Sequence, residues 1–596
     1  MIILINNKPA VLKKGTSFDF ISENRFFTGA DSYTLSITFP IKGCAQNIEI
    51  FGHIYRKDFD FNRDTLDCEI HDHHFHKYGC VSIVSVSDTE VKTQFLEGRS
   101  ATNYYSSLDD IYINEITMPR IDIDAHWEAD YYLRSYAKQR QDEAEGGEYL
   151  GFVCLPWVNN TSGNIQNKMT ANANFFYYNY SGEPFDDPYV MGFPFLIEII
   201  RQVLTATGYE FDLTQLENSQ WANLIVCQGF PLAWDMKYMH QILPHWTVSE
   251  FLEQVELLTN GTFELEGKTN KFTFSFNYDT IERMPIVPIE DVVDTHTVDI
   301  AEARDTKDDY IEQKNMEYAE CDHQMWKFYS CDWVKGTIPF VTYLNISNMM
   351  NILDSYLDCA GSYNSWVYRY MHYCREEDTY FVLKCVRTAT INRVIHHYMR
   401  VQPINMFGPR IKNRSENADS VELQIVPACI DHTDSVNGDM LFIECGTLGS
   451  DVGDDDNDAN QTQAVNTLKA GEDQKKEEYF DKIYVAFWDG SWLRYHPQMP
   501  HPTVDKYEIM DDNRVMRNGY SMRLYGSASP DSRTTKYKVN QQRKFTFSFL
   551  SDSIPDVRSV FLIHGKKYLA EKITATFSAE TGMSQLMKMV CYRMQE

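Results

Sequence analysis

The segment YTLSITFP, residues 33–40, carries the clearest strand pattern near the start of the chain. Its apolar side chains stand at every second position from Tyr33 to Phe39, and hydroxyl side chains fill the positions between them. A period of two is the repeat of a strand with one buried face. Pro40 has no N–H to donate to a neighbouring strand, so it is expected to end the ladder. The segment therefore predicts a half-buried strand in a sheet.

The residues on either side of this segment extend the β pattern. Residues 1–5 are a short apolar run, and residues 81–86 and 91–96 are two further runs rich in Val, Ile and Phe. The stretch IKGCAQN at 41–47 is predicted to be a loop, and no part of the first hundred residues has a helical pattern. Short strands separated by turns are typical of a small β-barrel or β-sandwich. Such a domain is expected to begin at the first residue.

The length and composition of the chain indicate a multidomain globular protein. Its 596 residues exceed the size of one hydrophobic core, and 43% hydrophobic with 23% charged residues is a globular composition. The net charge of −30 argues against a protein that reads nucleic-acid sequence, which needs a basic face. The 13 cysteines include no Cys-x-x-Cys pair, which predicts reduced thiols. The sequence predicts neither a membrane helix nor a secretory signal.

Two amphipathic helices are predicted in the middle of the chain. Residues 194–207 place apolar side chains at helical spacing. The second helix begins at a capping box in which Thr247 and Glu250 stand three residues apart. Two aromatic-rich strands, 262–266 and 271–277, follow it as a predicted hairpin. This order of elements predicts an α+β portion within a β-rich chain.

The fold class predicted is α+β and β-rich, with several domains that include small tube-like β-barrels or sandwiches and a few amphipathic helices. The stretch from 449 to 478 is rich in acidic residues and has no aromatic residue, which predicts a flexible loop. The predicted division is an N-terminal tube-like β domain at 1–115, a connecting β and loop region at 116–189, a helix and hairpin portion at 190–300, a mixed β-rich domain at 301–448, the acidic loop at 449–478 and a C-terminal β domain at 479–596.

A cluster of histidines and one aspartate is the candidate metal site in the sequence. Imidazole is the commonest protein ligand of transition metals. On a continuous strand, His71 and His73 would share one face. Asp72, His74 and His76 would share the other face and could hold a zinc or nickel ion. The alternative, which is preferred, is the polar tip of a hairpin that binds no metal.

No other pattern in the sequence predicts chemistry. The nucleophile motif G-x-S-x-G and the zinc-protease motif H-E-x-x-H do not occur. The sequence therefore predicts no catalytic residue, no cofactor and no enzymatic activity.

Three segments resemble one family of proteins. They are the run from INNK at 5–8 through FDFISENRFFTGADSYTLSITFPIKGCAQNIEIFGHI at 18–54, VSVSDTEVKTQFLEGRS at 84–100, and VFLIHGKKYLAEKITATFSAETGMSQLMKMVCYRM at 560–594. They are similar to the tail-hub or baseplate-hub proteins, of late-control type, of phages and prophages that infect Bacteroidetes-type hosts. The resemblance covers the two ends of the chain and two helix–strand units in the middle.

This resemblance implies a structural protein of the virion. Hub proteins of this kind are trimers in which each subunit contributes two tube-like domains, so that a pseudo-sixfold ring continues the tail tube. By resemblance, residues 1–115 would form one such domain. Residues 540–596 are assigned to the second, and the portion at 190–300 is left open as a contributor to it. The expected partners are two further copies, tail-tube, distal-tail and tape-measure proteins, and tail fibres or spikes. DNA would only pass through the lumen, and assembly would take place in the host cytoplasm.

Two other functions stay open. The chain could be a receptor- or glycan-binding protein of the tail tip, in which exposed aromatic residues between 301 and 450 would stack on sugars. It could also be a hub that carries a cell-wall hydrolase activity.

Overall fold

The structure is a computed structural model that describes both ends of the chain and most of the elements between them. The described residues are 1–24, 27, 33–34, 36–56, 65–73, 75–97, 108–119, 151–156, 177–178, 184–185, 190–227, 238–266, 271–277, 284–293, 296–300, 315–319, 340–361, 365–377, 379–404, 420–435, 438–444, 481–488, 492–493, 496–500, 502–505, 507–509, 515–517, 520–524 and 538–595.

The strands of the first half of the chain are β1 (Ile2–Ile5), β2 (Lys8–Ala10), β3 (Ser17–Glu23), β4 (Tyr33–Thr34), β5 (Ile37–Pro40), β6 (Thr65–Asp72), β7 (Phe75–Val86), β8 (Glu90–Leu96), β9 (Phe152–Pro156), β10 (Tyr177–Tyr178), β11 (Pro184–Phe185), β12 (Val190–Pro194), β13 (Glu210–Asp212), β14 (Leu224–Val226), β15 (Gly261–Glu266), β16 (Lys271–Phe276), β17 (Ile286–Ile289) and β18 (Thr297–Ile300).

The strands of the second half are β19 (Asn315–Tyr318), β20 (Phe340–Tyr343), β21 (Asp358–Ala360), β22 (Met371–Cys374), β23 (Thr379–Ile391), β24 (Val394–Ile404), β25 (Ser420–Leu423), β26 (Ile425–Pro427), β27 (Cys429–Ser435), β28 (Gly438–Glu444), β29 (Ile483–Phe487), β30 (Trp492–Leu493), β31 (His496–Pro500), β32 (Tyr507–Ile509), β33 (Val515–Arg517), β34 (Lys538–Leu550), β35 (Val560–Ile563), β36 (Lys566–Ser578) and β37 (Gly582–Gln595).

The described α-helices are α1 (Ala45–Phe51), α2 (Leu196–Ala206), α3 (Thr214–Glu217), α4 (Val248–Thr259) and α5 (Ile346–Leu353). Short 3₁₀ helices span Gln220–Asn223, Met239–Ile242, Asp354–Tyr356 and Trp366–Tyr368. The predicted fold class, a β-rich α+β protein with several sheets and a few helices, is confirmed.

The largest sheet joins the two ends of the chain. It has 14 strands in the order β18-β34-β37-β36-β3-β4-β8-β7-β6-β1-β2, with β5 on β8, β35 on β36, and β17 on β35. The pairing of β3 with β36 connects the ends, and it runs antiparallel from Ser17 opposite Ser578 to Glu23 opposite Lys572. We call this the terminal sheet. Its strands come from residues 2–96, 286–300 and 538–595.

The terminal sheet curls around its main apolar core. Phe577 on β36 stacks on Phe18 of the neighbouring β3, with ring centroids 5.4 Å apart. It also lies 4.9 Å from the ring of Phe75, which belongs to β7, four strand positions away. Side chains from strands far apart in the sheet meet only if the sheet bends over on itself. The ring of Phe20 completes this cluster, 5.0 Å from Phe75.

The strand predicted over 33–40 is interrupted. β4 and β5 lie on either side of the break, and Ile37 and Phe39 in β5 are fully buried, as the alternation predicts. In β4 the buried residue is Thr34 instead of Tyr33. The Thr34 hydroxyl accepts a hydrogen bond from the Phe95 N–H at 2.9 Å, which satisfies both groups inside the core.

A helix covers one end of the terminal sheet. The loop predicted at 41–47 is wrong in its second half, because α1 occupies residues 45–51. The buried side chain of Asn47 accepts from the Val11 N–H at 2.9 Å and donates to the Val11 and Pro40 carbonyls. The Asn47 side chain thus makes hydrogen bonds to the Val11 backbone, just after β2, of the kind that a neighbouring strand would otherwise make. Seven residues are too few to show a helical period, so tertiary contacts fix this helix.

The opposite end of the terminal sheet is an exposed edge. Within the part of the chain that the structure describes, β18 pairs with β34 and with no second strand. Thr297, Val298 and Asp299 are exposed. An edge of this kind presents backbone donors and acceptors to any other strand.

Helices α2, α3 and α4 belong to a second, central core. Both predicted helices are confirmed as α2 and α4, and the capping box forms, since the Thr247 hydroxyl accepts from the Glu250 N–H and the Glu250 carboxylate from the Thr247 N–H. The predicted hairpin is β15 and β16, and β13 adds to it in parallel. The buried faces of α2 and α4 pack in one core with residues as distant as Phe487.

A bidentate ion pair is buried beside this central core, between residues 505 and 523. The Arg523 guanidinium donates to both oxygens of the Asp505 carboxylate, at 2.8 and 2.9 Å. Both side chains are almost fully buried. Each charge is therefore compensated by the other inside the protein.

A five-stranded sheet forms a third unit, in the order β20-β22-β23-β24-β21. Helix α5 packs on one face, where Met349, Leu353 and Phe381 are fully buried. The long β23–β24 hairpin ends at Asn392 and Arg393, which both have positive φ as a tight turn requires.

The linear division into domains is corrected by the strand pairing. The boundaries at 115 and 479 place β1–β8 and β34–β37 in different domains, but these strands share one sheet and one core. The portion at 190–300 is also divided, since β17 and β18 join the terminal sheet. Local periodicity cannot reveal pairing between strands hundreds of residues apart. The acidic loop at 449–478 lies outside the described residues.

Candidate functional site

The histidine cluster lies on the hairpin formed by β6 and β7. The two strands pair antiparallel, with His71 opposite His76 and Asp72 opposite Phe75. His73 occupies the turn and is exposed, with a φ of 37°. His74 lies outside the described residues. The cluster therefore lies at the end of a hairpin, as the preferred prediction placed it, while the absence of a metal there stays a prediction.

Three metal-ligating side chains converge on the outer face of this hairpin. The Oε2 atom of Glu69 lies 2.9 Å from Nε2 of His71 and 3.5 Å from Nε2 of His76. The two imidazole rings stack, with centroids 4.1 Å apart and an angle of 16° between their planes. Glu69 and His71 are two residues apart on β6, and His76 is the cross-strand neighbour of His71, so the three share a face.

The inner face of the same hairpin carries Asp72. Its Oδ1 atom lies 3.0 Å from the amino group of Met1, and its Oδ2 atom accepts a hydrogen bond from the Met583 N–H at 2.6 Å. Burial opposes ionisation of this carboxyl. The Met583 hydrogen bond and the amino group outweigh burial, however, and lower the pKa of Asp72 from its ordinary value.

Asp72 joins three separate parts of the chain, namely the start of β1, the β6–β7 turn and the β36–β37 turn. Gly582 in the latter turn has a φ of 76° and lies directly against the Asp72 carboxylate. A Cβ atom at this position would meet the carboxylate oxygens, so the close approach requires glycine. The hairpin therefore anchors the contact between the two ends of the chain.

The expected grouping of the cluster is wrong. His71 does not share its face with His73, and Asp72 does not share one with His76, because the chain turns at His73 and β7 runs back along β6. The reversal brings His71 and His76 together and directs Asp72 into the core. Sequence reasoning also missed Glu69. The i, i+2 spacing of Glu69 and His71 was the available signal, but it identifies a site only when the hairpin register is known.

A second candidate site is an aromatic cluster on the five-stranded sheet. The ring of Tyr373 lies 4.6 Å from that of Tyr380 and 6.1 Å from that of Phe340. Tyr373 and Tyr380 are directly opposed on β22 and β23, and their face is the one opposite the buried Phe381. The Phe340 side chain is 42% exposed. The cluster is thus a partly exposed aromatic surface of three rings.

No protein family matches this chain, and no curated protein is similar to it. Among the helices of the described segments, none is long and apolar enough to cross a membrane. The eight cysteines whose side chains are described are thiols and not disulfides.

Proposed function

We propose that this protein is a structural component of a phage tail and forms the hub at the distal end of the tail tube. One observation carries this proposal. The segments at 5–54 and 84–100 that resemble hub proteins lie hundreds of residues before the third, at 560–594, yet their strands meet in the terminal sheet. That the resembling segments at the two ends of the chain fold together supports a shared domain.

The exposed edge supports assembly into a ring. One end of the terminal sheet is covered by α1, and β18 at the other end presents an exposed edge. Closed cyclic association is the common way in which copies of one chain cover such edges. In the proposed trimer, β18 lies at the subunit interface. The tail-tube, distal-tail, tape-measure and fibre or spike proteins contact this ring in the assembled virion.

The charge of the chain suits a conduit. A net charge of −30 repels the phosphates of DNA, so DNA can pass through a negatively charged lumen without binding to its wall. In this function the interfaces do the work and no catalytic centre is required. The protein is then assembled in the cytoplasm of the host bacterium and leaves it within the virion.

Single-particle electron microscopy of the purified protein tests the ring. We expect threefold rings with a central opening. The change Val298→Lys should reduce them to single subunits, because a lysine on an edge strand blocks the addition of another strand. Val84→Lys is the matched control, since Val84 is an exposed valine of β7 and the change should leave the rings intact. Asymmetric monomers of the unaltered protein at every concentration would contradict the ring.

A glycan-binding function at the tail tip is the second candidate, and the aromatic cluster of Phe340, Tyr373 and Tyr380 favours it. Flat, partly exposed rings suit stacking against sugars. If this function holds, Tyr373→Ala should weaken binding to polysaccharide from the host surface about tenfold, in line with the worth of one aromatic contact. Binding measured with Tyr238→Ala, an exposed tyrosine elsewhere, should not change. Equal binding by both variants would exclude this surface.

A further inference from the structure

We propose that Glu69, His71 and His76 bind a divalent transition-metal ion on the outer face of the β6–β7 hairpin. The three side chains offer two imidazole nitrogens and one carboxylate oxygen, all within 4.8 Å of one another. Two imidazoles and a carboxylate form a donor set used by zinc and by other first-row metals. Magnesium and calcium prefer sites built from oxygen alone.

The spacing of the donor atoms fits one ion. Ligand atoms at about 2.1 Å from a tetrahedral zinc ion lie roughly 3.4 Å from each other. The distances from Glu69 Oε2 to the two Nε2 atoms, 2.9 and 3.5 Å, bracket this value. Both histidines direct the same ring nitrogen toward the same carboxylate oxygen. Rotation of the two imidazole rings out of their stack would let all three ligand atoms reach one ion within the existing hairpin register.

The hairpin fixes the three ligands before the ion arrives. His71 and His76 are a directly opposed cross-strand pair, and Glu69 follows on the same face. The two rings stack face to face, so each must rotate about its side-chain bonds before both Nε2 lone pairs, which lie in the ring planes, can point at one ion. The hairpin register keeps the three side chains on one face throughout, which limits the entropic cost of binding.

The proposed ion has three protein ligands and an open position. His76 is exposed and His71 and Glu69 are half-buried, so the remaining coordination position faces solvent and is filled by water. The ion would join β6 to β7 on the face opposite Asp72. Metal binding is therefore expected to stabilise the hairpin that holds the two ends of the chain together.

The test uses the full-length protein, made without a polyhistidine tag and freed of metal by a chelator. Titration with Co²⁺ should produce a visible absorption band that saturates at one ion per chain, and Zn²⁺ should displace it. Removal of one ligand in His76→Gln should weaken Co²⁺ binding at least about tenfold, since even changes to groups that only support a ligand cost 10–100-fold. Zn²⁺ should raise the melting temperature of the unaltered protein and not that of His76→Gln.

Two further variants make the result specific. Glu69→Gln retains the size of the side chain and should also weaken Co²⁺ binding, which shows that the carboxylate is a ligand. His53→Gln replaces an exposed histidine outside the site and should bind as the unaltered protein does. Circular dichroism should be the same for all variants, because the ligands lie on the outer face. Absence of the band, or equal affinity in His76→Gln and His53→Gln, overturns the proposal.

Discussion

Replacing Phe577 with alanine is expected to destabilise the terminal sheet by about 3–5 kcal/mol. Phe577 is fully buried and contacts Phe18, Phe20 and Phe75, which lie on β3 and β7 near the other end of the chain. Loss of the ring removes these contacts and leaves a cavity, which a well-packed core fills only in part. A change near the C-terminal end should thus weaken strands formed by the first hundred residues.

Hydrogen exchange measures this effect segment by segment, which is needed because a protein with several cores does not unfold in one step. In Phe577→Ala, the amides of β3 and β36 should lose protection together, while those of α2 and α4 keep it. Leu586→Ala is the matched control, since Leu586 is 50% exposed on the neighbouring β37. Its effect should stay within about 0.5 kcal/mol. Full protection of β3 in Phe577→Ala would contradict the shared core.

Replacing Asp72 with asparagine is expected to cost about 3 kcal/mol at neutral pH, provided that the amino group of Met1 is free. Asparagine keeps an oxygen that can accept from the Met583 N–H, so the change removes mainly the negative charge. The buried amino group of Met1 then loses its ionic partner. Breaking a buried pair by removing one partner leaves an uncompensated charge, which is why the expected loss is large.

The pH dependence gives this prediction a second measurement. Because the pKa of Asp72 is lowered in the folded protein, its contribution to stability is complete above the ordinary unfolded pKa of about 3.9. The contribution disappears as the pH falls toward the folded pKa. The difference between the unaltered protein and Asp72→Asn should therefore be largest above pH 5 and shrink below pH 4. Asp19→Asn is the control, since Asp19 is a half-buried aspartate that accepts only from the Thr576 hydroxyl among the contacts described, and the change should cost little stability at neutral pH.

Local patterns were sufficient to predict several elements. The capping box of Thr247 and Glu250 and the alternating phenylalanines of β16 depend on neighbours within a few residues, and both formed as predicted. The helix at α1 was missed, because Asn47 holds it through bonds to Val11 and Pro40 and its own seven residues carry no clear period.

Features that depend on long-range pairing could not be predicted. The pairing of β3 with β36 cannot be read from the hydrophobic pattern of either strand. The histidine cluster was noticed, but its faces were assigned as if the strand were continuous. The hairpin register instead places His71 opposite His76 and beside Glu69, and leaves Asp72 on the other face. The sequence shows that residue types able to bind metal are present, but only the pairing of β6 with β7 shows that Glu69, His71 and His76 lie together.

The pairing of β3 with β36 has a consequence during protein synthesis. Asp19 and Thr576, which are hydrogen-bonded across these strands, are 557 residues apart. At about 5–20 residues per second, the ribosome takes roughly 30 to 110 seconds to make the second after the first. Throughout this time β3 has emerged without β36, while the five-stranded sheet and then the central core can already fold. A chain that ends before β36 therefore exposes the unpaired edge of β3, which chaperones and proteases of the cell can recognise.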